Sequence, residues 1–135
     1  MTRVYMAGHA FLKRNNKYLL LQRTDKTRFM PKKWDIPGGT VEVGETVEEA
    51  IKREFQEEVS LDVNVLHPIY IHTNLIQMPQ RQTFQAIYVC EYLSGEIKLN
   101  PREHVDFAWV DASEMQSYDL ISFLIDFIKK SGYQL

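Results

Sequence analysis

The chain has 135 residues, an ordinary apolar share of 44% and a formal net charge of −2. That length fits one domain, residues 1–135, because a division would leave two cores too small to stand alone. A slightly acidic chain lacks the basic surface that neutralises many phosphates, so a nucleic acid polymer is not the expected partner, and any anionic ligand must be met by local arginines or a metal.

The opening stretch MTRVYMAGHAFLKR has no uncharged apolar run of the signal-peptide kind. No stretch approaches the roughly 18 consecutive apolar residues of a membrane span. The expected setting is the cytoplasm, with no membrane partner. VYMAGHAFLK reads as a strand, NN as a turn and KYLLLQR as a second strand, together a hairpin. Thr24 to Lys33 is polar and basic, hence a loop. KWDIPGGTVEVGE is a short strand broken by Pro37, Gly38 and Gly39, a triplet that permits a sharp turn and close approach of bare backbone. Thr46 and Glu49 form a capping-box pattern, so a helix starts there and runs to about Val59. Strands follow in LDVNVLHPIYIHTNLI and TFQAIYVCEYL, with QMPQRQ as the turn between them. Cys90, the single cysteine, sits in the second of these and is expected to be a buried thiol. SGEIKLNPREH reads as turn and loop, and VDFAWV as a strand. Asp111 and Glu114 repeat the capping-box pattern, and YDLISFLIDFIKK forms a C-terminal amphipathic helix. Its Leu120, Phe123, Leu124, Phe127 and Ile128 make a core-facing stripe. Strands therefore dominate, and a mixed sheet covered by helices is the natural packing.

The central helix poses an electrostatic question. At about 100° per residue, Val47, Ala50 and Ile51 share a sector with Glu54, Glu57 and Glu58, and Phe55 and Val59 flank it. The inward stripe thus turns acidic in its second half. Buried carboxylates without partners are destabilising by several kcal/mol each, on the order of a full desolvation penalty. Arg53, which the same geometry points toward Glu49 and Glu57, is too little for three charges. A divalent cation would compensate, and clustered carboxylates suit magnesium or manganese.

The stretch GGTVEVGETVEEAIKREFQEEVSL resembles the Nudix box, G-x5-E-x7-R-E-U-x-E-E-x-G-U, where U is bulky and apolar. Gly39, Glu45, Arg53, Glu54, Phe55, Glu57, Glu58 and Leu61 stand at its fixed positions, and Ser60 replaces its last glycine. LLLQR, WDIPGG and EHVDFAWVDASEM resemble the family's flanks, so the likeness covers nearly the whole chain. It implies an α/β fold, the α/β/α sandwich with a mixed sheet, and hydrolysis of a nucleoside diphosphate linked to some further group. It also implies Mg2+ as cofactor, with Mn2+ able to substitute. By position, Glu54, Glu57 and Glu58 would be metal ligands or the water-activating base, with the Gly38 carbonyl as a further ligand. Glu45 would support this set and Arg53 would orient it. Glu103 would add a ligand or the general base. Ser60 would end the helix in a left-handed conformation, at a stability loss on the order of 1 kcal/mol.

The substrate is less legible. Arg23, Arg28, Lys32 and Lys33 are phosphate-binding candidates, with Arg23 the best placed at a strand end. Phe29, Tyr70, His72 and Tyr88 are candidates to stack on a base, and Gly39 and Glu45 border the expected substrate site. Trp34 and Trp109 read as packing residues. His9, His67, His72 and His104 show no metal-ligand spacing and are expected in structural or surface roles. The family's substrate markers past the box are missing: Leu75 and Gln77 fill those windows, with Pro79 further on. The compact length resembles MutT-like enzymes, which implies a nucleoside triphosphate, oxidised or not, cleaved to monophosphate and pyrophosphate. ADP-ribose, a nucleotide sugar or a dinucleoside polyphosphate is the alternative substrate. A non-catalytic nucleotide sensor of the same fold is the alternative class. The partner is a small nucleotide, and the assembly a monomer or homodimer.

Overall fold

The computed structural model describes residues 3–74 and 81–131. The strands in chain order are β1 Arg3–Arg14, β2 Lys17–Arg23, β3 Trp34–Asp35 and β4 Gly38–Thr40, then β5 Asp62–Asn74, β6 Arg81–Ser94 and β7 His104–Val110. Helix α1, Val47–Val59, lies between β4 and β5. A 3-10 turn, Ala112–Ser117, and helix α2, Ser122–Ser131, close the chain. The seven strands form one sheet in the order β3-β2-β1-β6-β5, with β4 paired to β1 and β7 paired to β2. β1 and β6 are parallel and the other pairings antiparallel, so the sheet is mixed, as expected.

The first hairpin turns at Asn15 and Asn16, with φ of 53° and 62°. Two positive φ values make the mirror-image turn whose twist matches the strands, and asparagine tolerates that region. β1 and β2 are near-continuous apolar runs because both sheet faces are covered. Their side chains alternate between two layers. Ala10, Leu12, Leu19 and Leu21 pack with Ile51, Phe55 and Val59 of α1. Phe11, Tyr18 and Leu20 pack with Phe123, Leu124 and Phe127 of α2. The result is the expected α/β/α sandwich. Cys90 is buried in the α1 layer, where desolvation pushes its thiol up to about 12.

Thr46 caps α1 as the pattern predicts. Its hydroxyl accepts the Glu49 N–H at 3.1 Å, and the Glu49 carboxylate accepts the Thr46 N–H at 3.0 Å. The C-terminal helix is shorter than expected. Its first turn is unwound because residues 118–121 bond to β3 instead. The Trp34 N–H donates to the Asp119 carbonyl at 2.8 Å, and the Ile121 N–H donates to the Trp34 carbonyl at 2.9 Å. Leu120 still reaches the core through a bridge to Trp34. Of the expected turn at 77–82, Arg81 and Gln82 already belong to β6; the remainder, with Leu75 and Ile76, lies outside the described residues. Among the described residues, no helix is long and apolar enough to cross a membrane.

Candidate active site

The two glycines of β4 are fixed by crowding. A Cβ at Gly38 would fall 2.2 Å from the Gly8 carbonyl oxygen and 2.6 Å from His9 Cα. A Cβ at Gly39 would fall 2.7 Å from a Glu54 carboxylate oxygen. Bare backbone therefore lies against β1 on one side and α1 on the other. That closeness lets the Gly38 N–H donate to Glu58 Oε2 at 2.8 Å.

The end of α1 positions the other wall. Ser60 is left-handed, with φ 61° and ψ 31°. Its N–H donates to the Gln56 carbonyl at 3.1 Å, the bond of an αL cap, and the Leu61 N–H donates to the Phe55 carbonyl at 3.4 Å. The free carbonyls of Glu58 and Val59 take the N–H groups of Asn100 at 3.1 Å and Lys98 at 3.0 Å. These bonds dock the 98–104 segment on the helix end, so that Glu103 and His104 arrive beside Glu58.

The glutamates of α1 divide differently from the wheel. Glu58 is buried and Glu54 nearly so, but the Glu57 side chain is 56% exposed. The buried stripe is rotated toward Phe55 and Val59, which are fully buried instead of flanking it, and Glu57 is left on the rim. Arg53 faces away from Glu49, whose carboxylate is engaged in the cap. Its guanidinium donates to Glu45 at 2.8 and 2.9 Å, to Glu54 at 2.9 Å, to Glu57 at 3.2 Å and to the Thr40 carbonyl at 3.1 Å. The Arg53 hydrogen bonds hold the Glu45 carboxyl down at about 2, and Glu45 in turn pushes the Arg53 pKa up. Burial lifts Glu54 above the usual carboxylate range despite Arg53. It lifts Glu58 well above that range, and nearby Asp35 adds to the effect.

Glu54, Glu58 and Glu103 line one cleft of about 420 Å³ together with Arg23, Gly38, Gly39, Thr40 and His104. Arg23 is held at its edge by Asp35 at 3.2 Å and by the Phe29 carbonyl at 3.0 Å. Glu57, Glu45 and Arg53 are not in the lining; the last two form a supporting layer behind Glu54. The half-exposed Phe29 ring is outside the lining as well. Other candidates are engaged elsewhere. Lys33 pairs with Asp119 at 2.7 Å, Tyr70 and His72 bond to Asp126 of α2, and the Tyr88 hydroxyl bonds to Glu48 at 3.4 Å. Arg28 and Lys32 are exposed. Leu75, Gln77 and Pro79 lie outside the described residues.

Asp35 and His104 are additions that the sequence reading missed. His104 Nε2 lies 3.1 Å from Asp35 Oδ1, both residues being buried. One ligand atom each from Glu58, Glu103 and His104 falls within 4.8 Å of the others. The adjacency of Glu103 and His104, and the acid in WDIPGG, were the available signals. His9 fits its structural expectation: it is buried against Phe123, with ring centroids 4.7 Å apart, and desolvation lowers it to about 4. The cleft as a whole fits a divalent cation. Its carboxylates are hard donors, two of them are desolvated, and Arg23 and Arg53 together are outnumbered by the acids they face.

The family model for the NUDIX domain matches residues 3–130. Nucleoside triphosphatase NudI of Escherichia coli K12 is 32% identical over 118 residues, covering 81% of this chain and 83% of that protein. Among solved structures, the MutT protein from Methanosarcina mazei Go1 superposes with a TM-score of 0.82 at 22% identity, covering 96% of this chain and 93% of that one. The E. coli ORF135 protein gives 0.81 at 23%, covering 95% and 88%. These structural likenesses establish the sandwich, and the family match carries the activity. The chain belongs to the Nudix hydrolase family and is an enzyme acting on a phosphoanhydride bond.

Proposed function

We propose that the chain is a divalent-cation-dependent pyrophosphohydrolase of a nucleoside triphosphate, releasing the nucleoside monophosphate and pyrophosphate. The observation that carries this reading is the convergence of Glu54, Glu58 and Glu103 on one cleft that also holds Arg23. The similarity to a protein named nucleoside triphosphatase supports the substrate class.

Glu58 and Glu103 would hold the cation, with Glu57 at the exposed rim and the Gly38 carbonyl as further donors. Magnesium and manganese both suit such oxygens. When bound, the ion supplies neutralisation of phosphate charge and acidification of water. Arg23 draws a phosphate to the cleft edge, where Asp35 keeps its guanidinium in place. Glu54, lifted above the usual carboxylate range by burial, takes the proton of the attacking water. Arg53 fixes the Glu54 carboxylate, and Glu45 fixes Arg53. Gly39 lets the substrate approach bare backbone, and Phe29 lies next to Arg23 on the loop that borders the nucleoside.

The test is a nucleotide panel incubated with Mg2+ or Mn2+ and resolved by chromatography. Monophosphate and pyrophosphate from a triphosphate are expected. Cleavage confined to ADP-ribose, nucleotide sugars or dinucleoside polyphosphates would move the substrate class. Calorimetric binding of nucleotides with no product from any of them would overturn the enzymatic reading in favour of a sensor.

A further inference from the structure

One nitrogen faces the oxygen donors of the cleft. His104 is 2% exposed, and its Nε2 is 3.1 Å from Asp35 Oδ1. Asp35 is held on its other oxygen by Arg23 at 3.2 Å. An ionised carboxylate only accepts, so Nε2 carries the hydrogen of that bond. Among the described residues Nδ1 has no hydrogen-bond partner, although it is buried. The Glu58 oxygen Oε1 nearest to it lies 3.9 Å away, beyond hydrogen-bond range. With Nε2 engaged by Asp35, the ring turns its other nitrogen toward the buried Glu58 carboxyl. Nδ1 and Glu58 Oε1 face each other in a buried place, and no hydrogen bond joins them.

A cation between them would join them. Metal-ligating histidines commonly have their second ring nitrogen held by a carboxylate, which fixes the tautomer and the ring orientation. Asp35 already does this for His104. Donors about 2.1 Å from a common ion lie about 3 to 4.2 Å apart. The 3.9 Å between Nδ1 and Glu58 falls inside that range, and Glu103 is within 4.8 Å of both.

We propose that His104 Nδ1 is a direct metal ligand, so that Glu58, Glu103 and His104 form a mixed nitrogen–oxygen site that takes manganese ahead of magnesium. The inference rests on the reading of this cleft as a divalent-cation site. Magnesium is hard and keeps oxygen ligands and water, whereas imidazole suits the first-row transition metals.

Pulsed electron paramagnetic resonance on the manganese-loaded protein is the direct test. A coordinated-nitrogen modulation is expected, and it should change from the 14N to the 15N pattern when the protein is made with 15N-histidine. His104→Gln should abolish it. In calorimetry the same variant should lower the manganese-over-magnesium affinity ratio by at least about tenfold. If His104→Gln does not fold, His104→Asn is the second variant, and the labelled wild-type protein decides the matter without either. Bound manganese with no nitrogen coupling would overturn the inference and leave the proposed function standing. Binding of neither manganese nor magnesium would overturn both.

Discussion

Both helices turn a carboxylate toward the sheet, and the protein treats the two in opposite ways. Asp126 on α2 accepts the Tyr70 hydroxyl, has His72 Nδ1 at 2.9 Å and keeps Lys130 Nζ at 3.6 Å. The Tyr70 and His72 hydrogen bonds hold its carboxyl below the usual range. Glu58 on α1 has the Gly38 N–H, but its other neighbours include Asp35, Glu54 and Glu103. Burial and those charges hold its carboxyl well above the usual range. The chain thus supplies donors on one face and withholds them on the other. A carboxylate with its donors supplied holds α2 on the sheet. One denied them remains available to an external cation.

The sharpest test of that contrast is Glu58→Gln, which keeps the shape and removes the charge. Turnover should fall by at least about a hundredfold, the low end of an acid–base or metal contribution. At the same time the cation-free variant should melt above the cation-free wild type at neutral pH, because a desolvated, poorly paired carboxylate has been replaced by a neutral amide. Divalent cation should raise the wild-type melting temperature more than that of the variant. A cation-free variant that melts below the wild type would break the comparison, since Glu58 would then be as well satisfied as Asp126.

Asp126→Asn should do the reverse. Turnover should stay at the wild-type level while stability falls by about 1 to 2 kcal/mol, as for a hydrogen-bonded charged group. The pH dependence has a definite sign. A carboxyl with a depressed folded pKa adds stability above its unfolded value, 3.8, and loses it as the pH falls through the folded value. Urea titrations should therefore separate wild type from variant at pH 7 and draw them together in acid below that value. A gap that is the same at both pH values would show that Asp126 acts by packing and not by charge.

What could be read in the sequence followed from contacts that are close along the chain. The Asn15–Asn16 turn and the Thr46–Glu49 cap are local patterns, and the structure places both as expected. What failed depends on segments far apart. The start of α2 differs because Trp34 donates to Asp119 and accepts from Ile121, both more than eighty positions away. The spacing predicts Glu57 inward when the sector is centred on Val47, whereas packing of Phe55 and Val59 against β1 and β2 sets the true buried stripe. The contact of His104 with Asp35 is not legible within any one stretch of sequence. The histidine's partner Asp35 comes from β3 and its neighbour Glu58 from α1, and both meet it only where the 98–104 segment docks on the helix end.

The smallest expected effect lies at Ser60, where the two behaviours of α1 meet. Ser60 ends the helix in the left-handed region, where a Cβ is disfavoured and glycine is free. The two capping hydrogen bonds use backbone only, so they do not depend on the serine side chain. Ser60→Gly should therefore stabilise the protein by about 1 kcal/mol. Glu58 is only two residues back, but its orientation is set by Gly38 and by the docked 98–104 segment, not by the cap residue. Turnover should thus match the wild type while the urea midpoint rises. A fall in turnover without loss of stability would show that strain at the cap helps aim Glu58. The division between the structural end of α1 and its working face would then have to be drawn two residues later.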